Sequence, residues 1–514
     1  MHVHLRKEEK VLKIALLAGS AVFFLLGWVF VLFPEGLVRF INYFSVLIVP
    51  SWRTMPPPSE KLWLSLAFSM MMTIALISYV AGHNVRKYKG LVLALLTAKL
   101  SSSLSALIFF ITAKKYFAYL LVFLVDGGIF LLYAVLLVWA SKKFFEDQTG
   151  FFYKMPEHPV MTGPAKVVVQ KGEDKFKLLD QVLKETDFFK ILDRRCKESG
   201  KTKANFLIAV KPNFMYLHHR KDISTYTDPA LVEYLIDRIW QKGYVNIALV
   251  EAQSTYGNYY NNREVVKVAE YAGYSRNKNY RIVDLTEEMV PYDYGGRLGK
   301  HFVGPTWRDA DFRISFAKNK THVFCNYTLT LKNIYGTLPM QNKLKEYHTR
   351  REYDWPTIES MKHFPVHFGL IDAIYSADGQ FGVIVDPTPK KTDTIIGGEN
   401  LIAVDWVGAK KMGLNPDDPH IGRFLPLAIG AFGKPDIKWA GDQSVYESWV
   451  NVSDVFIKSL DVIEESYAFA NWWFDCLVAM DKYFTPKKRT LPILIMRRLL
   501  APFKRLLFKY DYLR

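Results

Sequence analysis

Phe206-Leu207-Ile208-Ala209-Val210-Lys211-Pro212-Asn213 and Val245-Asn246-Ile247-Ala248-Leu249-Val250-Glu251 are short apolar runs that each end on charged or polar residues. Between them, Asp228-Pro229 opens a helical pattern that continues through Gln241 and stops at Gly243. Proline suits the first turn, where its missing N–H has no intrahelical partner to lose. A buried strand, a helix and a second buried strand make a βαβ unit, and that unit decides the fold class. The same alternation extends both ways. Val167–Val169 reads as a strand and Phe176–Thr186 as a helix. Downstream come a helix near Arg263–Tyr271, strands at Arg281–Leu285 and Phe312–Phe316, and a helix at Asn400–Met412 closed by Gly413. The expectation is an α/β soluble domain with a largely parallel or mixed sheet. Ligands of such sheets sit at the carboxyl ends of the strands. Lys211, Asn213, Glu251 and a turn at Lys320-Thr321-His322 all fall at those ends.

Upstream the chain changes character. Leu12–Leu32, Leu62–Ala81, Leu91–Ile111 and Tyr116–Ala140 each supply the roughly 20 apolar residues that a bilayer-crossing helix needs. Gly36–Val49 is shorter and broken by Arg39 and Asn42, which fits an interfacial or re-entrant segment. The first apolar stretch is too long for a cleaved signal peptide, and further spans follow it. The plan is therefore an α-helical membrane domain of about four spans over residues 1–145 and a linker over 146–164. An α/β domain over 165–430, an extension of it over 431–485 and a basic amphipathic tail over 486–514 complete it. With four spans, Arg6, Lys7, Lys10 and Lys13 share one side with Arg86, Lys87, Lys89, Lys142 and Lys143, against Arg53, Lys114 and Lys115 on the other. The excess of basic residues places the first side, and with it the soluble domain, in the cytoplasm.

The formal net charge is +17. Lys and Arg beside the spans and in the tail account for much of it, and no nucleic-acid-binding module is recognisable, so DNA and RNA are discounted as partners. The lipid bilayer and an anionic substrate are the partners this balance favours. In the tail, Met496, Leu499, Leu500, Phe503, Leu506, Leu507 and Tyr510 recur at helical spacing opposite Arg497, Arg498, Lys504, Arg505 and Lys509. That pattern fits an interfacial helix on an anionic leaflet, kinked at Pro502, or a helix packed on the soluble domain. Cys196, Cys325 and Cys476 form no CxxC pair, which argues against a zinc ribbon, an iron–sulfur cluster ligated by this chain and a disulfide framework.

The densest chemistry lies in Lys320-Thr321-His322 and, soon after, Thr330-Leu331-Lys332-Asn333-Ile334-Tyr335-Gly336. Three uses are open. The first is an anion site in which Lys211, Lys320 and Lys332 supply charge and Asn213, Thr321, Thr330 and Asn333 supply donors. Gly336 and backbone amides at a helix start would allow close approach to a phosphate, carboxylate or thiocarboxylate. In the second, His322 and His348 hold a divalent metal with Glu251, Asp372 or Asp378. The third is proton transfer by His322, with Lys320 or Lys332 stabilising an oxyanion or enolate. The bland reading is a structural turn with solvated lysines. Gly397-Gly398 permits close backbone approach, and Asp405 could serve to hold it in place. Within the apolar region, Lys99 and Asp126 fall near the middle of consecutive spans and should pair or face a polar cavity.

These pieces resemble the DUF362 family, a bacterial and archaeal group, over roughly residues 165–425. The resemblance is carried by Ala209–Phe214, Thr227-Asp228-Pro229, Ile247–Glu251, Lys320-Thr321-His322, Thr330–Gly336 and His348. It continues through Leu370–Ile374, Asp378-Gly379, Gly397-Gly398 and Ala403-Val404-Asp405. It implies a compact α/β domain and, given the spans, a multi-pass protein of the inner membrane. Relatives fused to ferredoxin-like cysteine motifs imply redox roles, but this chain lacks those cysteines and carries a membrane region instead. Two functions follow: an enzyme acting on an anionic small molecule or lipid-linked substrate, or a non-catalytic subunit docking a membrane or redox partner protein.

Overall fold

The computed structural model describes residues 7–57, 62–85, 88, 90–113, 115–141, 164–275, 279–295, 298–349, 354–380, 390–457 and 467–507. Arg6, Arg86, Lys87, Lys89, Lys114, Lys142, Lys143, nearly all of the 146–164 linker, Lys509 and Tyr510 lie outside them. The chain divides into two compact units, Met1–Lys142 with Asp461–Ser466, and Lys143–Leu460 with Tyr467–Arg514.

The first unit is helical. Helices α1 (Lys7–Leu32), α3 (Leu62–His83), α4 (Gly90–Thr112) and α5 (Phe117–Ala140) are long and apolar enough to cross a membrane. Helix α2 (Pro34–Ile48) has 15 residues, about 22 Å of rise against a hydrocarbon core of about 30 Å. It corresponds to the segment expected not to span. Gly82 packs against Leu16 and Leu17, bringing α3 onto α1. Between α4 and α5, Lys99 Nζ meets Asp126 Oδ1 at 2.9 Å, so the two charges inside the apolar layer are paired.

The second unit is built on a mixed nine-stranded sheet in the order β11-β1-β10-β9-β7-β2-β3-β4, with β8 paired to β7. The strands are β1 (Ala165–Lys171), β2 (Ile208–Pro212), β3 (Ile247–Glu251), β4 (Arg281–Asp284), β7 (Phe312–His322), β8 (Asn326–Thr328), β9 (Phe368–Ala377), β10 (Lys390–Gly398) and β11 (Ile437–Gly441). A separate hairpin pairs β5 (Val290–Asp293) with β6 (Lys300–Val303). From β4 through β9 neighbouring strands are parallel, while β10 runs against both β9 and β1.

Side-chain alternation sends the strands' two faces into separate cores. Ile208, Val210, Ile314 and Phe316 pack with Leu179, Phe188, Leu235 and Val268 from helices on one side. Ala209, Ala248 and Val250 pack with Leu331, Trp355, Leu401 and Leu425 on the other. Both long connecting helices begin as their sequences predict. Asp228 caps Pro229–Trp240 by accepting the Ala230 N–H, and Asn400 caps Leu401–Lys411 by accepting the Ala403 N–H.

One element differs from expectation. β7 does not stop near Phe316 but continues to His322, so Lys320-Thr321-His322 is strand rather than turn, paired with β8. The extension is polar, and its buried side chains are held by specific partners, although Asn319 Oδ1 has none among the described residues. Lys318 bonds Asp372 at 2.9 Å, Asn319 bonds Ser376 at 2.8 Å, and Thr321 bonds the Gly379 carbonyl at 2.8 Å. Lys318, Lys320 and His322 share one face; Asn319 and Thr321 share the other.

Candidate functional site: a cationic, aromatic-walled cavity

The sheet order places a topological switch at β2. From there β3 and β4 follow outward on one side, while β7 and β9 lie on the other. Crevices outside the carboxyl ends at such a switch are where open α/β sheets bind ligands. A cavity of about 130 Å³ lies there, lined by residues that follow the ends of β2, β3 and β7. Its polar lining comprises His322, Lys332, Lys343, His348, Ser254 and Thr255, and among the described residues no carboxylate lines it. Tyr216, Tyr256, Phe324, Tyr335 and Phe474 supply aromatic wall. The Ser254 hydroxyl is buried without a hydrogen-bond partner among the described residues.

Next to the cavity, Lys211 Nζ bonds Glu251 Oε2 at 2.7 Å, the Pro212 carbonyl at 2.8 Å and Asn333 Oδ1 at 3.1 Å. Asn333 returns a bond from its amide to the Lys211 carbonyl at 2.7 Å and another to Ser315 Oγ at 3.1 Å. Asn213 also donates to Asn333 Oδ1, at 3.3 Å. These residues tie the ends of β2 and β3, and Ser315 within β7, to the short helix Thr330–Ile334 that carries Lys332. Gly336 is required by close approach: a Cβ there would fall 2.5 Å from Lys211 Nζ and closer still to Glu251 Oε1. Its carbonyl accepts the Ala252 N–H at 3.0 Å.

The electrostatics follow from burial and from one lysine. Burial is the largest influence lowering the pKa of Lys211, Lys320, His322 and Lys343, and the charge of Lys332 adds to it at all four. Lys320 and Lys343 are each pushed down to about 7, and His322 lies well below its ordinary value. Burial raises Glu251, opposed by Lys211. The Lys343 ammonium is held by the Leu338 carbonyl and lies 3.4 Å from that of Tyr335. Lys332 stands 5.4 Å from the centre of the Tyr335 ring. His322 Nδ1 accepts the Phe324 N–H at 3.2 Å. A neutral imidazole that accepts at Nδ1 carries its proton on Nε2, so His322 has an N–H to offer a ligand.

The residues singled out from the sequence are thus distributed unevenly. His322, Lys332 and His348 line the cavity; Lys211, Asn213, Asn333, Glu251 and Gly336 form the supporting network. Lys320 donates to the Thr225 carbonyl at 2.8 Å and lies 5.0 Å from the Tyr216 ring centre, behind the aromatic wall. Thr321 faces the other way. The amides at the start of Thr330–Ile334, read as donors for an anionic ligand, already serve an internal carboxylate. Asp405 accepts Thr330 N–H at 2.7 Å, Thr330 Oγ1 at 2.5 Å and Leu331 N–H at 3.0 Å. That is also what Asp405 does instead of bracing Gly397-Gly398. Asp372 accepts Lys318 and the Asp228 N–H, and Asp378 accepts Lys390 and the Val450 N–H. Among the described residues, no three His, Cys, Asp or Glu side chains gather as a metal-ligand group.

Sequence reasoning missed Lys343, Ser254, Thr255 and the aromatic wall. The local signal for Lys343 was weak: it precedes a six-residue π-helix, Leu344–Thr349, too short for its spacing to be read from sequence. Phe474 comes from the helix Tyr467–Leu477, far along the chain.

Comparison with known proteins gives a family match over part of the chain and little else. Residues 208–410 match the family described as a domain of unknown function, DUF362. No curated protein matches the chain. Among solved structures, the lactate racemase apoprotein from Thermoanaerobacterium thermosaccharolyticum aligns at 12% identity with a TM-score of 0.32, over 51% of this chain and 59% of that one. The chain therefore spans under two thirds of that protein, and at this level the likeness carries no argument about fold or activity.

Proposed function

Because the chain carries a DUF362 domain over residues 208–410, we propose that it is a membrane-anchored enzyme whose cytoplasmic domain binds a small anionic substrate in the cavity at the β2 switch. One observation carries this reading: among the described residues, two lysines and two histidines line the cavity and no carboxylate does. A phosphate or carboxylate group is the natural complement of that lining. Lys332 and Lys343 supply charge, and the His322 Nε2–H supplies a directed donor to an oxyanion. The neutral state of His322 suits stabilisation of developing negative charge rather than proton removal. Lys343, with its pKa near 7, is the cavity group best poised to exchange a proton at neutral pH. The aromatic wall favours substrates with a flat apolar body beside the anionic group. The four apolar helices hold this domain at the inner membrane.

The test is calorimetric titration of the full chain in lipid nanodiscs with inorganic phosphate, phenyl phosphate and benzoate. Saturable binding that weakens about 10- to 100-fold in Lys332→Ala is expected for a lost charge-assisted contact. Binding unchanged in that variant, or no binding of any probe, would overturn the reading.

A further inference from the structure

The C-terminal helix Leu491–Leu507 has two unlike faces. One is fixed to the α/β unit. Arg497 donates to the carbonyl of Val478 at 2.9 Å and also to that of Asp475, while the neighbouring Arg489 pairs with Asp475 at 2.6 Å. Tyr260 reaches the same Val478 carbonyl at 2.8 Å. The opposite face is apolar and open: Leu491, Leu494, Ile495 and Leu499 are 70%, 46%, 49% and 68% exposed. Their spacing of three and four residues makes one continuous stripe. Exposed Arg498 stands within the same face, four residues after Leu494 and three after Ile495, and exposed Lys488 and Lys482 precede the helix.

A stripe of this kind on a soluble surface would expose a contiguous apolar patch to water. With cations within and before it, its chemical complement is an anionic lipid surface, where apolar side chains enter the acyl boundary and lysines and arginines meet headgroups. The same chain carries four helices long and apolar enough to cross a membrane, so such a surface is close at hand. We propose that the helix Leu491–Leu507 docks on an anionic bilayer through Leu491, Leu494, Ile495 and Leu499. The surface has a consequence for the cavity. The helix Tyr467–Leu477 supplies Phe474 to the cavity wall. Through Asn471 it is bonded to Tyr259 at 2.6 Å, beside the Ser254–Thr255 part of the lining. Arg497 and Arg489 both bond Asp475, the residue after Phe474, so the helix that carries the stripe is tied directly to the part of the chain that walls the cavity. Docking would hold the cavity's Phe474 side at the headgroup layer.

This proposal does not depend on what the cavity binds. It is tested with the full chain in nanodiscs by placing single cysteines at positions 491, 494, 495 and 499, with Val245→Cys as an exposed control on the α/β unit, each carrying a nitroxide. Cys196, Cys325 and Cys476 are buried and in no disulfide, so in the folded chain the label goes to the introduced thiol. In nanodiscs containing phosphatidylglycerol, the four stripe positions should collide with oxygen and be shielded from an aqueous nickel chelate, and position 245 should show the reverse. Replacing phosphatidylglycerol with phosphatidylcholine should move the stripe labels toward water. Labels that report water in both lipids would overturn the proposal. So would labels immobilised and inaccessible to both reagents, which would mean the stripe is covered by protein, a second copy included.

Discussion

Lys211 and Glu251 lie 2.7 Å apart with side chains 1% and 3% exposed, and Gly336 passes so close above them that a methyl group would strike both. A buried ion pair is weak evidence for stability in itself, because desolvating two charges offsets much of their attraction. What it does is hold the ends of β2 and β3 against the segment that carries Lys332 and Lys343.

Removing one partner should therefore cost more than removing both. Glu251→Leu leaves an uncompensated buried ammonium and should destabilise the chain by about 3–5 kcal/mol. Lys211→Met leaves a buried carboxylate with the same sign of effect. The double variant Lys211→Met/Glu251→Leu should recover much of the loss. Thermal unfolding of the four proteins in one detergent gives the cycle, and a double variant less stable than either single one contradicts it.

A second expectation concerns pH. Lys343 lines the cavity and its pKa is pushed down to about 7 by burial, with Lys211 and Lys332 adding to the effect. An anion binds the protonated lysine better, so phosphate-type ligands should bind most tightly below pH 7 and progressively more weakly as pH rises through that value. His322, held well below its ordinary value, should add no inflection near 6.5. Lys343→Arg, which keeps its charge throughout, should flatten the profile between pH 6 and 9. Phenyl phosphate affinity measured across that range decides it, with the ligand's own ionisation subtracted.

Much of the architecture was legible because it rests on local chemistry. The four apolar runs, the Asp228-Pro229 helix start and the apolar runs at Ile208 and Ile247 each state their structure through spacing and capping. The end of β7 was not legible. A strand reading Lys318-Asn319-Lys320-Thr321-His322 contains nothing apolar, and its burial depends on partners such as Asp372, 54 residues away. The site was half legible for the same reason. His322, Lys332 and Asn333 stand near one another in sequence, whereas Asp405 reaches Thr330 across 75 residues, and Phe474 belongs to a segment beyond the family match. Long-range partners leave no mark at either residue alone.

The Asp405–Thr330 contact gives a third test. Asp405→Ala would strand the buried Thr330 and Leu331 N–H groups, which should cost at least about 2 kcal/mol, each unsatisfied buried donor costing about 1–3 kcal/mol. Burial raises the Asp405 pKa to about 7, and its bonds to Thr330 and Leu331 oppose the rise. A carboxyl whose folded-state pKa is raised contributes stability that is fully present below its unfolded value, near 4, and lost as pH rises through 7. Wild type should therefore lose stability over that interval relative to Asp405→Asn, whose side chain does not titrate. Parallel stability–pH curves for the two proteins would rule this out.

Gly336→Ala tests whether the ion pair and the cavity are mechanically linked. The added methyl has no room above Lys211 and Glu251, so the segment Tyr335–Leu338 must lift or the ion pair must shift, at about 1–3 kcal/mol for overpacking. Carbonyls of that same segment hold Lys343 in place. The variant should lose anion affinity along with stability, even though Gly336 does not line the cavity. Lys332→Ala, which leaves that segment unobstructed, is the comparison: it should lose phenyl phosphate affinity without a matching loss of thermal stability. Gly336→Ala with lowered stability but wild-type phenyl phosphate affinity would contradict the link between the ion pair and the cavity.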